Sequence, residues 1–203
     1  GSVELSKNSA MFFRFYLYRE FLIKNSALIN RVIICDLFDT VFQYDPFNSD
    51  FGNYMYFCEE GVKIGQSTIN TIWIREVFRY FNNVYDPEIS PILNKKLKKN
   101  ILKRHILNGG VQAGLTSSVI EFCNTMIKIG NKYTMKLYCN DQGFLNVIVY
   151  SGYFDTKFKY KIANINNEIF ASIAYYSLKI DKNLNTPIFG SVYRDDSIPG
   201  VLH

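Results

Sequence analysis

Little in this sequence suits a zinc or disulfide framework, since only two of its 203 residues are His and four are Cys. Cys35, Cys58, Cys123 and Cys139 form no CxxC pair and no zinc-ligand spacing, which excludes a zinc module. Cys35 ends an apolar run and reads as a small buried group, while Cys123 and Cys139 could bridge in an oxidising compartment. No Asn-x-Ser/Thr acceptor occurs despite the many asparagines, which leans away from a heavily glycosylated secreted form. No apolar run is long enough to cross a bilayer: the stretch 11–23 is broken by Arg14, Arg19 and Glu20, and no signal peptide is visible. Nor is there a large excess of one charge. A net charge of +5, from 23 basic and 18 acidic residues, is too mild to imply a nucleic-acid partner. Six of the basic residues cluster at Lys95, Lys96, Lys98, Lys99, Lys103 and Arg104. They read first as a solvated helix face, with a phosphate- or membrane-attracting patch as the alternative. Internal repeats and low-complexity segments are also lacking.

What is present is globular, with 48% apolar and 20% charged residues. Residues 3–203 read as one domain with length enough for a real core. The 17 Phe and 15 Tyr would suit an aromatic-lined cleft, but a compositional bias toward Asn, Lys, Ile, Phe and Tyr accounts for them better.

Along the chain, Ser6 or Asn8 can cap a helix over 9–24. A strand at 32–35 follows, then a second at 53–58 that ends at Glu59 and Glu60. Residues 67–81 carry Ile69, Ile72, Trp73, Glu76, Val77 and Tyr80 at helical spacing, with Trp73 read as a core residue rather than a sugar-stacking platform. Asp86-Pro87 and Ser90-Pro91 punctuate a loop. Ile106-Leu107 leads a strand that stops at Gly109-Gly110. Helices follow over 116–129, with Gly130 as C-cap, and over 142–150, with Asp141 suited to an N-cap. Residues 156–165 and 173–180 alternate and read as antiparallel strands around an Asn-rich turn. The order is mixed α/β, then a β-rich end.

The densest information lies in 31–47, RVIICDLFDTVFQYDPF. Val32 to Cys35 reads as a buried strand of a parallel sheet that delivers Asp36 and Asp39 to its carboxyl end. Open α/β sheets bind ligands there, and two carboxylates three residues apart make a hard oxygen site for Mg²⁺ or Mn²⁺. A strand followed by a merely solvated acidic turn would look the same. Further on, Asn108 and its glycines fit a sugar-facing turn or a plain strand end. Asp141 fits a ligand or a cap.

Taken in order, CDLFDTVFQYDPF (35–47), Glu60 with IGQSTIN and Trp73, LNGGVQAG (107–114), NDQGFLN (140–146) and an apolar strand opened by Pro187 resemble the nucleotide-diphospho-sugar transferases of the GT-A fold. The lineage concerned is the one carrying D-x-x-D-v-x-F-Q-x-D-P-F, and the likeness runs from about residue 11 to 194. It implies an α/β domain around a mixed, mostly parallel sheet flanked by helices. The implied activity is a metal-dependent glycosyltransferase of hexosyltransferase type, with a nucleotide-sugar donor, an unknown acceptor and the secretory-pathway lumen as its place. Asp36 and Asp39 would hold Mn²⁺ or Mg²⁺ against the donor diphosphate. Asn108, Asp141 and Gln142 would meet sugar hydroxyls, and Gly109 and Gly110 would let the backbone approach the sugar. The family's first nucleotide-binding strand is not found ahead of 11, and its late metal-site His has no counterpart in 187–194. A silent, glycosyltransferase-like binding module is therefore the alternative. IICDLFDTVF also resembles the first motif of haloacid-dehalogenase-like phosphatases, in which Asp36 would be the nucleophile.

Overall fold

The structure is a computed structural model. It describes residues 10–36, 40–42, 45–48, 52–132, 141–164, 170–171, 179–181, 191–193 and 201–202. In chain order the helices are α1 (Ala10–Asn25), α2 (Thr68–Asn83), α3 (Lys95–Asn100), α4 (Thr116–Lys132) and α5 (Asp141–Tyr150). The strands are β1 (Arg31–Cys35), β2 (Val41–Phe42), β3 (Met55–Lys63), β4 (His105–Leu115), β5 (Tyr160–Ala163), β6 (Phe170–Ala171), β7 (Lys179–Asp181), β8 (Ser191–Tyr193) and β9 (Val201–Leu202). None of the helices is long and apolar enough to cross a membrane among the described residues.

The fold is mixed α/β, built on a four-stranded sheet in the order β1-β4-β3-β5. The expected strand at 32–35 is present, but the sheet is not mostly parallel. β4 runs antiparallel to both β1 and β3, and only β3 and β5 are parallel. β1 also stands at one end of the strand order rather than at its centre. An apolar run reports burial and not direction. Two helices, α2 and α3, separate β3 from β4, so the chain re-enters the sheet reversed, where a single crossover helix would have kept it parallel. β3 and β4 are longer than expected. β4 continues through Gly109-Gly110 because the Asp36 amide donates to the Gly110 carbonyl at 2.9 Å and Cys35 pairs with Val111.

Period-two alternation splits the sheet into two buried faces. Val32, Ile34, Met55 and Phe57 face the helices, while Ile33, Cys35, Tyr56, Cys58, Val111, Ala113 and Ala163 pack together on the other side. The aromatic content goes chiefly to the helix side. Phe12, Phe15, Phe57, Phe122, Phe144 and Phe154 are buried there, and Phe15 meets Phe122 edge-on at 5.5 Å. Each such ring contributes on the order of 2 kcal/mol by burial, and the edge-to-face geometry adds roughly 1 kcal/mol.

Several local expectations shift. Gly130 lies inside α4 and not at its cap, because a Cβ there would meet the Phe12 ring at 2.8–2.9 Å. Its hydrogen is what lets α1 and α4 close on each other. In α2, capped by Ser67, the buried stripe is Asn70, Ile74, Val77, Phe78, Tyr80 and Phe81. Ile69 and Ile72 are instead exposed, and Trp73 is half-buried. The strand expected over 156–165 shrinks to β5, preceded by a short 3-10 turn over Tyr153–Thr156, and pairs in parallel with β3. Of the partner expected at 173–180 only its end is described, within β7, which pairs antiparallel with β8. Cys123 is a free thiol, not half of a bridge; burial pushes it up to about 12. Asp39, Cys139, the caps Ser6 and Asn8, and the Pro187 strand lie outside the described residues.

The loop at Asp86-Pro87 is tied down by charge. Asp86 is 2% exposed and accepts from the amides of Glu88 and Ile89 at 2.9 and 3.1 Å. Lys132 donates to it at 2.9 Å, and Lys128 lies at 3.5 Å, both from α4. Burial alone would raise this carboxyl, but the Lys132 bond, the two amides and Lys128 outweigh it and hold it down to about 2. A depressed carboxyl stabilises the fold fully above its usual value of 3.8 and loses that contribution as pH falls toward 2. Asp86→Asn should therefore cost about 2 kcal/mol at neutral pH. Urea midpoints of variant and wild type should converge in strong acid and stay apart at neutral pH.

Candidate functional site

Asp36 follows the last residue of β1, so its side chain emerges on the helix-facing side at the strand's carboxyl end. One α1 side chain waits there. Arg14 is half-buried on α1, and its guanidinium stands 5.1 Å from the Phe15 ring centroid. From that place it donates through Nη1 to Asp36 Oδ1 at 3.1 Å. Through Nη2 it donates to the Gly109 carbonyl at 2.8 Å and to Asp141 Oδ2 at 2.5 Å. Three segments, up to 127 positions from Arg14 in the chain, thus meet on one guanidinium.

The two carboxylates differ in setting. The side chain of Asp36 is 45% exposed and that of Asp141 only 4%. Burial raises the Asp141 carboxyl above the ordinary carboxylate range; Arg14 and the backbone amide of Gln142 pull the other way. Asp141 both opens α5 and holds Arg14, so the cap and the site reading are both met by one residue.

Beneath this lies a floor of amides. Gly109 N donates to Gln142 Oε1 at 2.8 Å, and Gln142 Nε2 donates to Asn70 Oδ1 at 3.0 Å. Asn108 Nδ2 donates to Glu60 Oε1 at 3.1 Å, and Asn108 Oδ1 accepts from Gly110 N at 2.6 Å. Asn146 Nδ2 donates to the carbonyls of Leu107 and Gln142 at 2.9 and 2.8 Å, while its Oδ1 accepts from Leu107 N at 2.8 Å. A Cβ on Gly109 would fall 3.2–3.3 Å from Gln142 Oε1 and Cβ, so glycine permits this close packing.

The expected site residues Asp36, Asn108, Gly109, Gly110, Asp141 and Gln142 are therefore brought together, and Asp39 lies outside the described residues. Their roles divide differently from expectation. The amides of Asn108 and Gln142 are engaged with protein partners and form a floor, whereas Asp36 faces solvent. Arg14, Glu60, Asn70 and Asn146 complete the network. Glu60 belongs to one of the patterns read from the sequence and Asn146 to another, but neither stands out there as a site residue. Arg14 interrupts an apolar stretch in the sequence and carries no further signal there.

A divalent cation is the group this site would be expected to take. The described donors are oxygen only, which suits Mg²⁺ or Mn²⁺. Among the described residues no group of three or more His, Cys, Asp or Glu side chains could hold an ion; Asp36 offers one half-exposed carboxylate, and Arg14 already occupies the space between it and Asp141.

A scan against protein-family models finds no match to this chain, and a search of curated proteins finds none either.

Proposed function

We propose that this chain is a glycosyltransferase of the GT-A fold that binds a nucleotide-diphosphate sugar, with a divalent cation, over the Arg14–Asp36–Asp141 cluster. The observation that supports it best is convergence: polar residues from α1, β1, β4 and α5 form one hydrogen-bonded network at a strand's carboxyl end. A helix-flanked mixed sheet is compatible with that fold.

In this reading Asp36, with Asp39, holds the cation, which when bound would neutralise charge on the departing nucleotide diphosphate. Arg14 orients Asp36 and partly offsets the effect of burial on the Asp141 carboxyl. Its charge lies near any phosphate or sugar oxygen placed above Asp36. Asn108 and Gln142 hold the Gly109-Gly110 backbone rigid beneath the cluster. The phosphatase alternative draws less support, because β1 pairs antiparallel with its neighbour.

Mn²⁺ with a panel of nucleoside diphosphates should raise the melting temperature saturably for at least one base, since a ligand that binds only the folded state stabilises it by mass action. Asp39→Ala should abolish the shift and leave the apo protein folded. Absence of any shift across the panel would favour the silent module. Hydrolysis of a generic phosphate ester, lost on Asp36→Asn, would favour the phosphatase.

A further inference from the structure

We infer that the segment 95–104 is a docking surface for an anionic lipid bilayer. It holds six of the 23 basic residues and none of the 18 acidic ones, so the rest of the chain is left with 17 basic against 18 acidic. The whole positive charge of the protein is concentrated there. Lys95, Lys96, Lys98, Lys99, Lys103 and Arg104 are all exposed, and none joins an ion pair among the described residues.

The geometry spreads these charges outward. At about 100° per residue, the four lysines of α3 cover one arc of roughly 160°, and Leu97 points the opposite way. Leu97 packs on the core, which fixes the lysine arc toward solvent. α3 lies against α2, with Lys98 Nζ 5.9 Å from the Phe78 ring centroid. The turn leading into α2 is pinned to the same segment by the Ile64 amide, which donates to the Arg104 carbonyl at 2.9 Å. On α2, Ile69 and Ile72 are 55% and 46% exposed, and Arg75 and Arg79 are exposed beside them. A basic surface, indented beside Lys96 and Arg104 by a cavity of about 230 Å³, with solvent-facing isoleucines on the neighbouring helix, suits the interface of an anionic membrane, where charge attracts and short apolar side chains enter the headgroup layer.

A discrete phosphate fits less well. Five of the six cations are lysines, which act as diffuse point charges rather than bidentate forks. The remaining one, Arg104, lies over the Tyr150 ring at 5.7 Å, at the carbonyl end of α5, where the helix dipole disfavours an anion. The patch is also distinct from the candidate site. Asp141 opens α5 and Tyr150 closes it, some 15 Å away along the helix.

The test is co-sedimentation of the whole chain with phosphatidylserine-containing vesicles and with phosphatidylcholine vesicles. It is run at about 0.1 M and about 1 M salt, between which the Debye length falls from about 10 to about 3 Å. The protein should bind only the anionic vesicles and only at the lower salt. Lys96→Glu with Lys99→Glu should weaken binding at least about twentyfold. The control pair Lys24→Glu with Lys159→Glu, equal in net charge, should weaken it far less. An equal loss in both pairs, no binding to anionic vesicles, or binding to heparin without binding to vesicles would overturn the inference.

Discussion

Arg14→Ala should lower the melting temperature by about 10 °C, one of the two largest effects expected of any single substitution outside the aromatic core. Removing one member of a buried ion pair typically costs 3–5 kcal/mol, because the partner charge stays buried without compensation. For a domain of this size each kcal/mol is worth about 2–4 °C. Here the stranded groups are Asp141, 4% exposed at its side chain, and the Gly109 carbonyl. Burial already biases Asp141 toward its neutral form, so Asp141→Asn should be the milder change. Combining it with Arg14→Ala should restore part of the loss. Arg14→Lys should fall between, since one ammonium cannot meet Asp36, Gly109 and Asp141 with the geometry of a guanidinium. Thermal melts of wild type, Arg14→Ala, Asp141→Asn and the combined variant form a double-mutant cycle. Strictly additive losses would show that the three-way contact is not an energetic unit.

The second large effect is expected at Asn146→Leu. This side chain is 1% exposed and makes two hydrogen bonds that join α5 to Leu107 of β4, and a third to the Gln142 carbonyl within α5. Leucine fills the volume but leaves the Leu107 amide and carbonyl without their side-chain partner. Each buried orphan costs about 1–3 kcal/mol, so a loss of about 3 kcal/mol is expected. That corresponds to about 8 °C in the melting temperature. The effect should be on stability, with any nucleotide-dependent shift in melting temperature that wild type shows retained by the folded variant. Asp36→Asn should do the reverse, because a half-exposed carboxylate carries little of the fold. Equilibrium denaturation paired with nucleotide titration separates the two.

What could be read from the sequence depends on how local the signal is. The Val32–Cys35 run, Asn108-Gly109-Gly110 and Asp141-Gln142 are short patterns whose meaning does not depend on distant chain, and the structure brings them to one place. Strand direction was not legible, because burial on both faces makes β1 and β4 apolar whichever way they run. Gly109-Gly110 looks like a strand end in isolation, and only pairing with β1 carries β4 through it. Gly130 looks like a cap until Phe12 is placed against it. Arg14 shows why a site can hide in a helix. In the sequence it only interrupts an apolar stretch, and its purpose depends on carboxylates 22 and 127 positions away.

In the proposed function, Asp36 presents its carboxylate to a cation and a nucleotide diphosphate above the Arg14 cluster. A crystal structure grown with Mn²⁺ and the best-binding nucleoside diphosphate tests it most directly, with anomalous scattering to locate the metal. The account predicts a manganese peak about 2 Å from an Asp36 oxygen, with the diphosphate bound to the same ion on the Gly109 side of the site. A metal bound elsewhere, or a nucleotide seated away from Asp36 with the Arg14–Asp36 pair untouched, would contradict it.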